Sequence, residues 1–461
     1  MLRTNMKKFL TLYSIAAFLM LSFASCLESD DPFEVELTPY ATLRSFAICD
    51  INTKTIVKTD DGRDSTVVKI TPGVSYPFAI DQENNLAYNV DSLPVGTDIT
   101  RVAIEMKCDG AAYVYADSID EYRLFMANDS IDFTKPMRLL ITATDGTYAR
   151  EYKVSLNVHT IDPNQLYWRK CSATPAASMA ECRVLEKGDS LYLFSAAEDG
   201  VASLHVAALP DASAWAGKAL NGLPAAANFN SITLYEDNFY VVADGVLYTS
   251  ADGALWNEVA GNGGIKTLFA ASDDDYALWA VVNDSLAYCS NVADGFTMVQ
   301  ALPSEFPLYG ISSSVNVLRT NYNISRYVVV GYPSMDAQSR PQVWSKLTSE
   351  NMWSHYVPSS YNEKQCPTLE SLAVIDYDSR LYAFGGKGVV NGVDVAPFDA
   401  IYVSRDNGIT WDSEVYDAPM LPAELVGVDA PFATTVGAGE NIWLVVGGGY
   451  VWCGRMNKFE L

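Results

Sequence analysis

Residues 165–461 repeat one pattern of hydrophobic and polar positions six times. In each copy a tight polar turn precedes a short strand rich in aromatic and β-branched side chains, and a second short strand follows. The first strands begin at Leu191, Phe239, Ala277, Arg326, Leu381 and Ile442, and the second strands begin at Leu204, Leu247, Leu286, Val343, Ile401 and Val451. Successive copies lie roughly 40–60 residues apart, as four-stranded blades do. The repeat therefore predicts a six-bladed β-propeller.

The sixth copy is short of one strand, because few residues follow Trp452. The segment from Gln165 to Lys170 precedes the first copy and has no partner within it. Pairing this early strand with the last copy would complete the sixth blade and remove both sheet edges. We therefore expect the two ends of residues 165–461 to close the ring together.

A turn motif recurs between the repeated strands. Residues 404–411 match the Asp-box pattern Ser-x-Asp-x-Gly-x-x-Trp in full, and residues 250–256 form the same turn one residue shorter. The Asp side chain is expected to accept backbone N–H groups, the Gly to take a positive φ, and the Trp to pack between blades. We interpret both turns as structural rather than catalytic. Their predicted residues are Ser250, Asp252, Gly253 and Trp256, and Ser404, Asp406, Gly408 and Trp411. Leu381 to Gly386 also resembles a kelch repeat, so the propeller subfamily is left open.

The front of the chain, residues 38–160, consists of short alternating strands separated by turn signals. About seven strands in such a length predict an immunoglobulin-like β-sandwich. All nine tryptophans lie beyond this segment, and Ile161 to Asn164 supplies turn chemistry between the two modules. The predicted fold is thus all-β, with a sandwich at 38–160 and a propeller at 165–461.

Two stretches of the front module, Phe78 to Gln82 and Tyr88 to Asp98, resemble uncharacterised Bacteroidota surface lipoproteins. Proteins of that family pair a β-sandwich with a propeller, and their activity is unknown. The resemblance implies the same two-module architecture here, without implying a ligand.

The N-terminus has the pattern of a lipoprotein signal peptide, residues 1–25. Arg3, Lys7 and Lys8 precede an apolar run that is too short for a comfortable transmembrane helix, and small residues then lead into Cys26. We predict that Cys26 carries the lipid. Residues 26–37 form an acidic tether that resembles the surface-export signal of Bacteroidota lipoproteins. The predicted location is the outer membrane, anchored by the lipid alone and exposed at the cell surface.

Composition and charge narrow the partners. The chain carries 56 acidic and 31 basic residues, for a net charge of −25. The electrostatic field of this net negative charge repels phosphate backbones, which argues against nucleic acid as a binding partner. Apart from Cys26, seven cysteines are scattered without a CxxC pair, so they indicate buried thiols or one or two bridges with at least one free thiol.

The binding face is predicted from loop length. One face of a propeller carries the connections between the second and third strands of each blade and the connections from one blade to the next. Four of these connections are long: 331–342, 357–371, 385–400 and 416–427. Long loops commonly carry binding residues, although drifted loops without a ligand would look the same. The candidate ligand-binding residues are Tyr332, Arg340, Tyr361, Asn362, Lys364, Asn391, Asp394, Phe398 and Tyr416.

Catalytic signatures are missing from the sequence. Sialidases resemble the propeller half through their Asp boxes, but the arginine pattern that they require has no counterpart here. The three histidines form no HExxH motif, and we predict no catalytic residue, no metal and no cofactor. The sequence favours a binding protein for glycan or envelope-protein ligands. Alternatives are a glycoside hydrolase or lyase at the propeller rim, since a carboxylate pair would leave no sequence signature, and a structural subunit of an envelope complex.

Overall fold

The computed structural model describes residues 37–58, 64–127, 129–176, 179–336, 339–357, 364–413 and 421–459. Within these residues the chain divides into two compact units at Asp162 and Pro163. Both units are built from strands, and no helix among the described residues is long and apolar enough to span a membrane. Short 3-10 helices lie at Gly73–Ser75, Phe229–Ser231, Val292–Asp294, Ala438–Glu440 and Asn457–Phe459.

The front unit is a sandwich of two sheets around one core. Its strands are β1 Thr42–Ile48, β2 Ile51–Lys58, β3 Asp64–Thr71, β4 Phe78–Asp81, β5 Leu86–Asn89, β6 Val102–Asp109, β7 Ala111–Ala116, β8 Glu121–Leu124, β9 Ser130–Ile131, β10 Met137–Thr142 and β11 Ala149–Ser155. One sheet has the order β1-β6-β9 and the other β4-β5-β11-β10-β7-β8, while β2 and β3 form a separate hairpin. Leu43 and Ile104 from the first sheet share the core with Leu139 and Val154 from the second.

The back unit begins with β12 and three complete blades. These strands are β12 Leu166–Ala173; β13 Glu181–Lys187, β14 Ser190–Ala196, β15 Ala202–Ala208 and β16 Trp215–Lys218; β17 Thr233–Tyr235, β18 Asn238–Ala243, β19 Val246–Ser250 and β20 Asn257–Gly263; β21 Ile265–Ser272, β22 Ala277–Val282, β23 Ser285–Cys289 and β24 Thr297–Ala301. Blades one, two and three are thus β13–β16, β17–β20 and β21–β24, each antiparallel and in chain order.

The last three blades carry the longer connections. Their strands are β25 Tyr309–Leu318, β26 Asn321–Tyr332, β27 Gln342–Leu347 and β28 Ser354–His355; β29 Thr368–Leu369, β30 Leu372–Tyr377, β31 Arg380–Gly385, β32 Gly388–Val390, β33 Val393–Val395 and β34 Tyr402–Ser404; β35 Phe432–Gly437, β36 Asn441–Val446 and β37 Tyr450–Met456. Blade four is β25–β28, and blade five is β30-β31-β34, extended by a bridge between Val403 and Asp412. A small sheet of β29-β32-β33 is formed by the connections of blade five.

Blade six combines strands from both ends of the back unit, in the order β12-β37-β36-β35. Leu166 pairs with Met456 and Trp168 with Gly454, so the early strand is the outermost strand of the last blade. The six-bladed propeller predicted from the repeat is therefore confirmed, together with its closure by the early strand. This pairing gives the last blade its fourth strand and joins the beginning of the back unit to its end.

Hydrophobic side chains hold neighbouring blades together. The second strand of each blade is buried on both faces, because each blade packs against a neighbour on either side. Val328 and Val329, which lie on opposite faces of β26, are 1% and 0% exposed. Between blades three and four the indoles of Trp279 and Trp353 meet edge to face, with ring centroids 5.3 Å apart. This packing explains why the repeated strands are apolar without alternation.

Candidate functional site

A central cavity of about 950 Å³ lies among the inner strands of the propeller. Its walls come from β13, β25, β30 and β35, the first strands of blades one, four, five and six. Tyr309 at the start of β25 pairs with Tyr332 at the end of β26, and both line the cavity. The cavity therefore extends to the face that carries the long connections.

Hydroxyl groups make this cavity polar. Ser312, Ser313 and Ser314 of β25 line one wall, and Thr434 and Thr435 of β35 line another. The Oγ1 atom of Thr434 is buried and has no hydrogen-bond partner among the described residues. A buried hydroxyl without a partner is uncommon, because removing it from water without a new hydrogen bond costs roughly 1–3 kcal/mol. The cavity thus offers hydrogen bonds that the described protein atoms leave unused.

Arg183 on β13 is the one cationic side chain among the described residues that line the cavity. Its Nε atom is buried without a hydrogen-bond partner, and the guanidinium forms no ion pair with the described residues. Burial lowers the pKa of Arg183 below its ordinary value, because desolvation disfavours the charged form. An arginine nevertheless stays charged at neutral pH. The cavity wall therefore carries a positive charge without a protein counter-ion.

Asp376 lies at the opposite end of β30 from the long connections and also lines the cavity. Burial raises the pKa of this carboxyl above its ordinary value, while a hydrogen bond donated by the side chain of Asn316 acts in the opposite direction. The other cavity-lining carboxylates, Glu181, Glu370 and Asp336, are exposed. Apart from Asp376, the carboxylates that line the cavity are therefore exposed to solvent.

Among the predicted ligand-binding residues that the structure describes, Tyr332 alone lines this cavity. Its hydroxyl donates to the carbonyl of Leu369 at 2.6 Å and accepts the Leu369 amide at 3.1 Å. Burial raises the pKa of the phenol. The hydroxyl of Tyr332 is therefore committed to holding β29, and only its half-buried ring faces the cavity.

Arg340 and Lys364 belong to a different part of the propeller. Arg340 lines a second cavity of about 360 Å³ and donates from Nη1 to the side-chain oxygen of Gln365 at 2.9 Å. Lys364 forms an ion pair with Asp412, and its carbonyl accepts the backbone amide of Trp411 at 2.8 Å. These contacts connect the long connection after blade four to the outer strand of blade five.

Asn391 and Asp394 lie on the β32–β33 hairpin, and both are exposed. Asn391 and Gly392 have φ values of 51° and 79°, as the two central residues of a tight type I′ hairpin turn require. Asn391 therefore has a clear conformational role in the turn, and its side chain and that of Asp394 are free to reach solvent.

Phe398 was expected in an exposed loop, and the structure contradicts this expectation. The side chain is 1% exposed and packs on the ring of Phe432 with centroids 4.8 Å apart. The amide of Phe398 donates to the carbonyl of Gly385 at 2.7 Å, which folds the connection back onto blade five and turns the ring inward. Phe398 is thus a core residue. Tyr361, Asn362, Tyr416 and Cys26 lie outside the described residues.

The Asp-box candidates form two hydrogen-bonded turns. Asp252 accepts the amides of Ala254 and Leu255, both at 2.9 Å, and Asp406 accepts the amide of Thr410 at 2.8 Å. In each turn the serine hydroxyl donates to the Asp carboxylate: Ser250 Oγ lies 3.1 Å from Asp252 Oδ1, and Ser404 Oγ lies 2.9 Å from Asp406 Oδ1. Every oxygen used here serves the turn itself.

The glycine and tryptophan positions complete these turns. Gly253 and Gly408 have φ values of 74° and 96°. Trp256 and Trp411 are 2% and 3% exposed. The indole N–H of Trp256 donates to the carbonyl of Gly253 at 2.8 Å, and that of Trp411 donates to the carbonyl of Gly408 at 3.0 Å. The arrangement stabilises the junction between blades.

Sequence reasoning missed Arg183, Ser312, Thr434 and Asp376, because it searched the loops rather than the inner strands. A signal was present, because three consecutive serines at 312–314 and two consecutive threonines at 434–435 place hydroxyl groups in two predicted strands of the propeller. No cluster of three or more His, Cys, Asp or Glu side chains in the described part of the chain could hold a metal ion.

Two family models match the chain. One, described as the DUF6242 beta propeller domain, matches residues 162–461, and the other, described as the N-terminal domain of the same family, matches residues 48–156. The chain belongs to the DUF6242 family. None of the curated proteins compared with this DUF6242 chain matches it.

Several solved structures show weak likeness to the DUF6242 chain. A DUF4623 family protein from Bacteroides eggerthii is 12% identical, with 89% of this chain and 98% of that chain covered and a TM-score of 0.37. The virginiamycin B lyase from Staphylococcus aureus is 12% identical, with 75% and 95% covered and a TM-score of 0.34. A GH74 enzyme from Niastella koreensis is 12% identical, with 86% and 71% covered and a TM-score of 0.30. Likenesses at this level carry no statement about the activity of this chain.

Proposed function

We propose that this DUF6242 chain is a surface-displayed binding lipoprotein whose propeller binds a glycan in the central cavity. The observation that carries the proposal is the cavity of about 950 Å³, lined by hydroxyl groups and open toward the long connections. Its volume lies in the upper part of the range, roughly 300–1,000 Å³, that small-molecule sites occupy. Sugars carry many hydroxyls, so a concave wall of serine and threonine side chains suits them.

The cavity favours a glycan over a folded protein partner. A protein interface of standard size needs a broad surface with an apolar centre. Here the polar groups with unused hydrogen-bonding capacity lie inside a concavity. Tyr309 is 44% exposed where β25 begins, and an aromatic ring in that place can stack on the face of a sugar ring.

The remaining assignments support display of the propeller. The strand order of the front unit supports an immunoglobulin-like sandwich that serves as a spacer. One sheet has the order β1-β6-β9, the other contains β5-β11-β10-β7-β8, and β5 is parallel to β11. The two hydrogen-bonded turns support membership of the Asp-box class. Lipidation at Cys26 and surface export through the acidic tether rest on the sequence pattern.

A glycan array tests the binding function. The purified mature chain is compared with Ser371→Trp, which narrows the cavity at an exposed lining residue, and with Thr320→Trp, an exposed residue in the turn on the opposite face. We expect at least one glycan to bind the wild type and Thr320→Trp but not Ser371→Trp, with unchanged melting temperatures. Binding to no glycan, or equal binding by Ser371→Trp, would contradict the proposal.

Asp376 favours a glycoside hydrolase as a second candidate function. A carboxyl whose pKa is raised by burial is suited to act as a general acid, and glycosidases pair such a group with a second carboxylate. Reducing-sugar release from glycans found on the array separates the two functions. Hydrolysis by the wild type that disappears in Asp376→Asn would establish the enzyme, whereas binding without release identifies a binding protein.

A further inference from the structure

Arg183 is a cationic side chain that has no counter-ion among the described residues. Charged side chains seldom leave water unless they are paired, because the uncompensated desolvation of a charge is costly. The Nε atom of Arg183 is buried without a partner, and the guanidinium has no ion pair with the described residues. An anion that enters the cavity would supply the missing partner.

The second unused group lies on the neighbouring inner strand. β13 and β35 contact each other, and they carry Arg183 and Thr434 into the same cavity. The hydroxyl of Thr434 is also buried without a partner. A ligand that presents both an anionic group and hydroxyl groups would therefore satisfy Arg183 and Thr434 together.

We propose that the cavity binds the carboxylate of an acidic sugar residue at Arg183. This inference rests on the proposed glycan-binding function and specifies its ligand class. A planar carboxylate matches the fork of a guanidinium and forms short charge-assisted hydrogen bonds with it. The hydroxyls of the same sugar then face the serine and threonine side chains of β25 and β35.

Charge around the cavity favours a ligand with one negative charge over a polyanion. The chain has a net charge of −25, and Glu181, Glu370 and Asp336 lie exposed along the cavity. These carboxylates repel a phosphate-rich ligand more strongly than a single carboxylate. Asp376 opposes a ligand anion less than an ordinary aspartate would, because its raised pKa favours the neutral form.

Isothermal titration tests the inference with galacturonate, glucuronate and N-acetylneuraminate as probes. Galactose and the methyl ester of galacturonate serve as neutral partners, and inorganic phosphate as a plain anion. The variants are Arg183→Met, Arg183→Lys and, as a control, Arg319→Met in the turn on the opposite face. We expect one of the carboxylated sugars to bind the wild type and Arg319→Met. Arg183→Met should lose about 10- to 100-fold in affinity, as expected for hydrogen bonds to a charged group, and Arg183→Lys should lose less.

The melting temperature distinguishes a binding role from a structural one. Because Arg183 has no protein partner, Arg183→Met should melt at or above the temperature of the wild type. The inference would be overturned if Arg183→Met bound the carboxylated sugar as tightly as the wild type does. It would also be overturned if the neutral ester or phosphate bound the wild type as tightly as the carboxylated sugar does. Failure of every carboxylated probe to bind at millimolar concentration would overturn it too. Neutral glycans that bind the wild type but not Ser371→Trp would leave the proposed function standing while refuting the role of Arg183.

Discussion

The carboxylate of Glu186 accepts the indole N–H of Trp443 at 3.0 Å, and this contact joins the first blade to the last. Its other oxygen accepts the backbone amide of Ala438 at 2.7 Å. A side chain at Gly437 would collide with Glu186, since a Cβ atom there would lie 1.7 Å from Oε2. The ring is thus closed by a polar contact near its axis as well as by β12 at its periphery.

Replacing Glu186 should weaken this junction. Glu186→Ala leaves the indole of Trp443 and the amide of Ala438 without an acceptor, which should lower the free energy of unfolding by about 1–3 kcal/mol per donor left unsatisfied. Urea denaturation at pH 7 measures the change, with exposed Glu198→Ala as the control. A loss below about 0.5 kcal/mol, as at ordinary surface sites, would show that water replaces the carboxylate.

The Asp-box turns should contribute unequally to stability. Trp411 is buried against Val343 and Leu381, so Trp411→Ala should cost about 3–5 kcal/mol, in line with other buried aromatic residues. Asp406→Ala removes an acceptor from the Thr410 amide and should cost less, about 1–3 kcal/mol. Equilibrium unfolding of both variants checks the order. A near-zero effect of Trp411→Ala would contradict its packing role.

The raised pKa of Asp376 should make stability depend on pH. The folded protein binds this proton more tightly than the unfolded chain, whose carboxyl has a pKa near 3.8. Its contribution to stability is therefore present below that value and is lost as pH rises through the folded pKa. Asp376→Asn should melt at a higher temperature than the wild type at pH 7 and at a similar temperature at pH 3.5.

A melting series from pH 3.5 to 7 gives this comparison, and exposed Asp394→Asn provides the matched control. If Asp376→Asn differs from the wild type by the same amount at every pH, the effect comes from the amide itself and not from titration of the carboxyl.

The proposed lipid anchor at Cys26 predicts a change in location when this residue is replaced. Cys26→Ala should leave an unlipidated precursor and remove the protein from the outer-membrane fraction. Neutralising Glu28, Asp30 and Asp31 should leave the anchor intact but reduce digestion by protease added to whole cells. Membrane fractionation of Cys26→Ala identical to the wild type would refute the anchor, and unchanged protease digestion would refute the export signal.

The repeat was readable in the sequence because the second strand of each blade, which is the first strand of each sequence copy, is buried on both faces. Strands such as those beginning at Leu191 and Leu381 must be apolar throughout, so six of them stand out without any knowledge of topology. The cavity left no comparable signal. Arg183, Ser312, Asp376 and Thr434 come from four distant parts of the chain, and each alone is typical of an exposed strand position.

Loop length did not predict the burial of Phe398. The connection containing Phe398 is long because it builds a hairpin and then returns over blade five, so part of its length is spent on packing. Whether a loop aromatic faces solvent depends on where the chain turns back, and this depends on tertiary contacts such as the one between Phe398 and Phe432.

The position of β12 in the last blade also imposes an order on synthesis. Its hydrogen-bonding partner, β37, is synthesised only after all of the intervening blades. At about 5–20 residues per second, β12 must wait on the order of tens of seconds with an unpaired edge, while the intervening blades are still being added. An edge of this kind can pair with another nascent chain. Protection of β12 during that interval, for example by a chaperone, should therefore increase the yield of folded protein.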